Sequence, residues 1–174
     1  MNAGKGWRCG NARWDYNGAM IRSATIDDVA AIAAMIRELA DYEVLTDEVT
    51  LDEGLLREHL FGERRYAEVL VAETNGDVVG FALFFHNYST FVGRPGIYLE
   101  DLFVKPAFRK HGYGKALLKG VAKLAVERGC GRLEWSVLDW NEPSIAFYKA
   151  LGARAMEEWT IYRVVGVALG KLGE

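Results

Sequence analysis

The sequence predicts an α/β fold, a single domain in which a mixed, mostly antiparallel central sheet is covered by helices on both faces. Three observations carry this. Runs rich in β-branched and aromatic residues alternate with amphipathic stretches of helical period. Residues 67–73 and 78–85 read as strands flanking Asn75-Gly76, a hairpin signal because both turn residues tolerate positive φ. Residues 97–118 read I-Y-L-E-D-L-F-V-K-P-A-F-R-K-H-G-Y-G-K-A-L-L, a strand, a basic glycine turn and a helix start. The 174 residues, 51% of them hydrophobic, suffice for one well-buried domain and are too few for two ordinary ones.

Along the chain, residues 1–19 are glycine-rich and polar and hold no apolar run of the signal-peptide kind. They are expected as an N-terminal tail or extension, with the domain over 20–174 and Met20 an alternative start; packing of Trp7 and Trp14 onto the domain stays open. Residues 21–24 form a first strand, and Thr25 caps a helix with Asp27 and Asp28 in its first turn. Val29, Ile32, Ile36 and Leu39 recur at helical spacing as its buried stripe. That helix ends at 41–43, and Thr50-Leu-Asp-Glu53 is a capping box for a second with Leu55, Leu56 and Leu60 inward.

After the hairpin, 88–96 is expected as a loop, either a plain connection or the wall of an acceptor pocket. Pro106 stops the next strand, and 116–128 is a helix with Leu117, Leu118, Val121, Leu124 and Ala125 inward, ended by Gly129. Residues 132–137 form a strand, Asn141 and Pro143 begin a helix that Gly152 ends, and 158–165 has the composition of a final strand before a short tail from Gly166.

Composition excludes several functions. A net charge of -3 offers no clustered Lys and Arg for nucleic acid. Cys9 and Cys130 make no disulfide framework, and His59, His86 and His111 stand apart from any ligand cluster, so no metal is expected. With no membrane anchor in view, a reducing cytoplasm fits.

The basic turn Arg109-Lys110-His111-Gly112-Tyr113-Gly114 is suited to an anion. A first helical turn leaves N–H groups unpaired, glycines let a phosphate approach them, and the helix dipole adds positive potential. Read locally, the same turn could be a plain helix start. Other nucleotide motifs fail: alanine follows Gly114-Lys115 where a P-loop needs Ser or Thr, and the dinucleotide fingerprint lacks its third glycine.

The Arg109-x-x-Gly112-x-Gly114 turn resembles the acetyl-CoA pyrophosphate loop of the GNAT superfamily of N-acetyltransferases. Together with Tyr98-Leu-Glu-Asp-Leu-Phe-Val104 and Trp140-Asn-Glu-Pro-Ser-Ile-Ala-Phe-Tyr-Lys149, it makes residues 21–159 similar to the diamine (spermidine/spermine) and thialysine N-acetyltransferases. The resemblance implies a GNAT-like sheet in which parallel strands ending near Val104 and Val137 splay apart to hold acetyl-CoA. It places the pantetheine arm along Leu102, Phe103 and Val104. The pyrophosphate falls to Arg109, Lys110, His111, Gly112, Tyr113, Gly114 and Lys115, with Asn141 and Ser144 at a helix start near the cofactor. Tyr42 and Glu43, locally an ordinary helix end, would face the cationic acceptor. A homodimer is also implied. Lys110 stands where many members have glycine, and residues 154–159 are shorter than in the animal diamine enzymes, so the resemblance does not carry Glu158 over to the acceptor site.

The expected chemistry is transfer of an acetyl group to a primary amine of a small cationic metabolite, a spermidine-like polyamine, a lysine analogue such as thialysine or an unrelated small amine. Direct attack is expected, since no activated Cys or Ser is in view. Glu100 is the candidate base, beside the splayed strands, and Asp101, taken to alternate to the opposite face, a structural or acceptor-binding group. Both could also be ordinary exposed strand acids. Tyr148 holds the place of the family's general acid, and locally would be a packing aromatic. A protein amine as substrate and a non-catalytic acyl-CoA sensor are the competing readings.

Overall fold

The computed structural model describes residue 10, residues 12–16 and residues 18–174, so Trp7 and Cys9 lie outside the described residues. They form two compact units, one up to Ser136 and one over 137–174.

The first unit carries one six-stranded sheet whose strands lie in chain order: β1 (Arg13–Tyr16), β2 (Ala19–Ser23), β3 (Glu68–Thr74), β4 (Asp77–Ser89), β5 (Arg94–Val104) and β6 (Leu133–Trp135). Neighbours are antiparallel except β5 and β6, which run parallel. Three helices pack on it, α1 (Val29–Glu43), α2 (Glu53–Phe61) and α3 (Tyr113–Glu127). On one face Val69, Val71, Phe81 and Phe103 meet Val29, Ile32, Met35, Leu56 and Leu60 of α1 and α2. Each such side chain contributes roughly 1.5–3 kcal/mol by leaving water. On the other face α3 comes so close that a Cβ at Gly120 would lie 2.9 Å from Leu70 Cδ1 and 3.3 Å from Trp14 Cζ3.

The Asn75-Gly76 turn forms as expected, with φ of 53° and 86°. Several local expectations are corrected. Within the stretch expected as a tail, Arg13–Tyr16 pairs antiparallel with β2, and Lys123 Nζ lies 4.9 Å from the Trp14 ring. Thr25 caps a short 3-10 turn, Ile26–Asp28, that leads into α1. Asp52 rather than Thr50 caps α2, accepting from Leu55 N at 2.8 Å, and Leu55 itself faces solvent. The expected loop 88–96 is mostly strand, because β4 and β5 continue to a tight turn over 90–93. α3 begins earlier than expected, at Tyr113, and β6 is shorter than the strand expected over 132–137.

The second unit contains α4 (Glu142–Ala150) and α5 (Gly166–Leu172). The final strand expected over 158–165 is absent, as is the plain tail from Gly166. Trp159, Ile161, Tyr162, Val164 and Val165 are exposed. β propensity measures how well side chains fit a paired, half-buried surface, and this unit holds no other strand for the segment to pair with.

Candidate active site

The 3-10 turn Pro106–Phe108 ends β5, and the chain then passes through Lys110 at φ 67° and Gly112 at φ 87° to start α3. Gly112 is the N-cap and its carbonyl accepts from Ala116 N at 2.9 Å, so the N–H groups of Tyr113, Gly114 and Lys115 have no acceptor within the helix. A Cβ at Gly112 would stand 3.4 Å from Tyr16 Cε1, and one at Gly114 3.8 Å from Val104. Lys110 and Lys115 are exposed beside these N–H groups. His111 Nδ1–H donates to Arg109 O at 2.9 Å, and its ring stacks on Tyr113. Unpaired donors, two glycines and exposed lysines fit a diphosphate.

Arg109 is tied inward. Its Nε donates to Val104 O at 3.0 Å, and its guanidinium lies 4.8 Å from the Tyr42 ring and 5.6 Å from the Phe103 ring. Tyr42 of α1 therefore meets the anion turn through Arg109. Tyr16 touches the same turn, and Lys119 lies over its ring at 5.6 Å. Sequence reasoning missed Tyr16, which sits in the supposed tail and belongs to no motif.

Pairing between β5 and β6 covers only Ile97 with Leu133, Tyr98 with Glu134 and Leu99 with Trp135. Beyond that point, among the described residues, Leu102, Phe103 and Val104 pair with β4 alone. The opposite edge of these residues carries backbone groups that an extended ligand could meet as a strand would.

Glu100 sits where the register shifts. Phe84 pairs with Leu99 and Leu83 with Asp101, so two residues of β5 answer one step of β4 and Glu100 is the extra residue of a bulge. Alternation breaks there, and Asp101 lies on the face of Leu83, Phe81 and Phe103 rather than opposite Glu100. This corrects the expectation of opposite faces. Glu43, at the end of α1, is close enough to act on it. Burial first, then the charges of Glu100 and Glu43, push the Asp101 carboxyl from 3.8 up to about 7. Burial also raises Glu43, whereas Glu100 is exposed. The signal for Asp101 was present in the Glu-Asp pair, but the assumption of unbroken alternation hid it. Among the described residues no three His, Cys, Asp or Glu side chains are placed to hold a metal ion, and no helix is long and apolar enough to cross a membrane.

In the second unit, Asn141 is buried and caps α4, its Oδ1 accepting from Ser144 N at 3.3 Å. Tyr148, partly buried, packs its ring 5.3 Å from that of Phe147.

Among the described residues, the sheet's one parallel pair parts beside a glycine-rich helix start, and Asp101, its carboxyl pushed up to about 7, lies just beyond the parting. The chain belongs to the GNAT acetyltransferase family, matching "Acetyltransferase (GNAT) family" over residues 32–153, and is an N-acetyltransferase. It is 43% identical to the thialysine N-epsilon-acetyltransferase of Bos taurus, over 88% of this chain and 96% of that one. It is 35% identical to the L-ornithine N5-acetyltransferase NATA1 of Arabidopsis thaliana, over 86% and 85% of the two chains. An integron cassette protein from V. cholerae has the same fold, with a TM-score of 0.76 at 27% identity over 90% of this chain and 98% of that one.

Proposed function

We propose that this chain moves the acetyl group of acetyl-CoA onto a primary amine of a small cationic metabolite by direct attack of the amine. The acceptor is a polyamine or a lysine-like molecule, a class that includes the thialysine and ornithine for which two relatives are named. The observation that carries this reading is Asp101, a partly buried carboxyl raised to about 7 between Glu100 and Glu43.

A primary ammonium has an ordinary pKa near 10.4, so its neutral form at pH 7 costs roughly 4 to 5 kcal/mol. Glu43 and Glu100 attract the cation, and Asp101 accepts its proton. A carboxylate at 3.8 would be a poor match for that proton, and the rise to about 7 halves the gap. Asp101 takes the role of base that the sequence assigned to Glu100; Glu100 then serves binding and helps keep Asp101 basic.

The cosubstrate, when bound, supplies an activated thioester. The N–H groups of Tyr113 to Lys115, with Lys110, Lys115 and His111, hold its diphosphate, and the free edge of Leu102 to Val104 aligns its extended arm. Arg109 braces the turn from beneath. On the strength of the motif, Asn141 and Ser144 open the helix that carries Tyr148, and the Tyr148 phenol, ordinarily near 10, protonates the departing thiolate, ordinarily near 8.5, at an uphill step of roughly 2 kcal/mol.

The chain is further read as cytoplasmic and homodimeric. The apolar side chains exposed between Met156 and Leu172 are surface of the kind a second copy would cover. Light scattering that gave a monomer would remove that part of the reading. The whole is tested by CoA release with a panel of amines, for the intact chain and for Asp101→Asn. Turnover with a small amine, lost in the variant, supports it and dismisses the sensor; tight acetyl-CoA binding without release by any amine overturns it.

A further inference from the structure

Beyond the carboxylates, the face of the sheet that carries Tyr98 and Glu100 continues into a polar group across three strands. Asn87 of β4 is paired with Gly96 of β5, and a Cβ at Gly96 would collide with Asn87 Oδ1 and Arg132 Cγ. Only a glycine there lets the Asn87 amide cross β5 and donate from Nδ2 to Glu134 Oε2 of β6 at 2.8 Å. Arg132 Nε holds the same Oε2 at 2.8 Å.

The group is half used. Both contacts, the Asn87 hydrogen bond and the Arg132 ion pair, end on one carboxylate oxygen, and among the described residues Glu134 Oε1 and the two Nη atoms of Arg132 have no partner. Asn87 Oδ1 is buried and also lacks one. An exposed ion pair adds little to stability, and a buried polar atom without a partner calls for an explanation. A carboxylate oxygen beside a guanidinium fork, both partly open to solvent, is the complement of a group that carries one positive and one negative charge.

We propose that Arg132 and Glu134, braced by Asn87, bind the α-carboxylate and α-ammonium of a basic amino acid whose side-chain amine lies at Glu100 and Asp101. The spacing agrees. In the register Glu134 stands beside Tyr98 and Arg132 two steps further back, level with Gly96, so four residue steps of β5, roughly 13 Å, separate Arg132 from Glu100; a charge-assisted hydrogen bond of about 2.8 Å at each end leaves roughly 7 Å, the span of an extended lysine from its carboxyl carbon to its side-chain nitrogen. The aliphatic stem crosses the Phe85 and Tyr98 rings, 5.4 Å apart, with the Tyr98 hydroxyl fixed by Ser136 Oγ at 2.7 Å. A polyamine offers Arg132 only further positive charge. The fork therefore selects against it.

This inference rests on the amine-acetyltransferase reading and narrows its acceptor. The experiment compares kcat/KM for lysine against cadaverine, and for ornithine against putrescine, pairs that differ by the carboxyl group. The intact chain should prefer the amino acid of at least one pair by about tenfold or more, Arg132→Met should collapse that ratio, and Arg132→Lys should recover part of it. Glu134→Gln should raise KM for the amino acid more than it lowers kcat. An intact chain that uses the diamines as well as the amino acids, or a ratio untouched by Arg132→Met, overturns the inference and leaves amine acetylation standing. No release with any of the four overturns both.

Discussion

Glu100 and Asp101, neighbours in sequence, lie on one face of β5 because the strand bulges between its pairings with Phe84 and Leu83. Two carboxylates that regular alternation would separate are brought together, and Glu43 from α1 adds a third charge. Burial and mutual repulsion then oppose ionisation, which makes one of them basic enough to take a proton near neutral pH.

Asp101 must be ionised to accept a proton, so kcat/KM for the amine should rise with pH through an inflection near 7. Asp101→Asn should lower kcat by about a hundredfold or more and flatten that inflection. Glu43→Gln removes one of the charges that raise Asp101, so its inflection should move to lower pH. An inflection that stays in place in both variants belongs to another group.

The same carboxyl carries a stability prediction of opposite appearance. Its folded pKa lies above the unfolded value, so its contribution to stability is present below about 3.8 and lost as pH rises through about 7. Asp101→Asn should therefore be more stable than the parent at pH 9, by up to roughly 4 kcal/mol, and equal to it at pH 3. Urea unfolding at the two pH values reads this directly.

Gly112→Ala should weaken acetyl-CoA binding and cost about 1 to 2 kcal/mol of stability, because φ is 87° and the new methyl faces Tyr16. Gly114→Ala, with ordinary van der Waals room against Val104, should perturb folding less. Calorimetric titration together with thermal melts separates the two effects.

Tyr148→Phe should leave acetyl-CoA affinity near that of the parent while turnover falls about a hundredfold or more. A variant that turns over normally would return Tyr148 to a packing role.

Arg22 forks onto Asp28 with bonds of 2.7 and 2.9 Å while its Nε holds Glu73 at 2.8 Å. Burial resists ionisation of Asp28, but Arg22 and the Thr25 N–H outweigh it and hold the carboxyl below its ordinary value. That contribution is present above the usual carboxylate range and is lost as pH falls through the folded value. Asp28→Ala, which leaves Arg22 partly buried without its fork, should lose about 3 kcal/mol at pH 7 and less in acid, by urea titration.

Much of this was legible in the chain. Local signals that need no partner were read well: the Asn75-Gly76 turn, the buried stripe of α3 and the glycine start of that helix are set by φ preference and periodicity. Features that depend on a distant partner were not. The segment 158–165 has the side chains of a strand and no neighbour within its own unit, and Leu55 obeys helical spacing yet points to water. The bulge at Glu100 is a mismatch between two strands, so neither strand's residues announce it alone. Arg132 and Glu134 belong to no motif; only the side chain missing at Gly96 lets Asn87 join them.

β1 also changes what a shortened chain would be. Starting translation at Met20 would remove the partner of β2 together with Trp14 and Tyr16, which rest on α3 and the anion turn. The hydrogen-bonding edge of β2 would then be bare, next to the otherwise buried Ile21. Bare edges recruit strands from other molecules. β1 is itself an edge, but a short one of four residues that includes the charged Arg13 and Asp15, so a version trimmed to Met20 would present a more apolar edge to other molecules and should be harder to keep in solution.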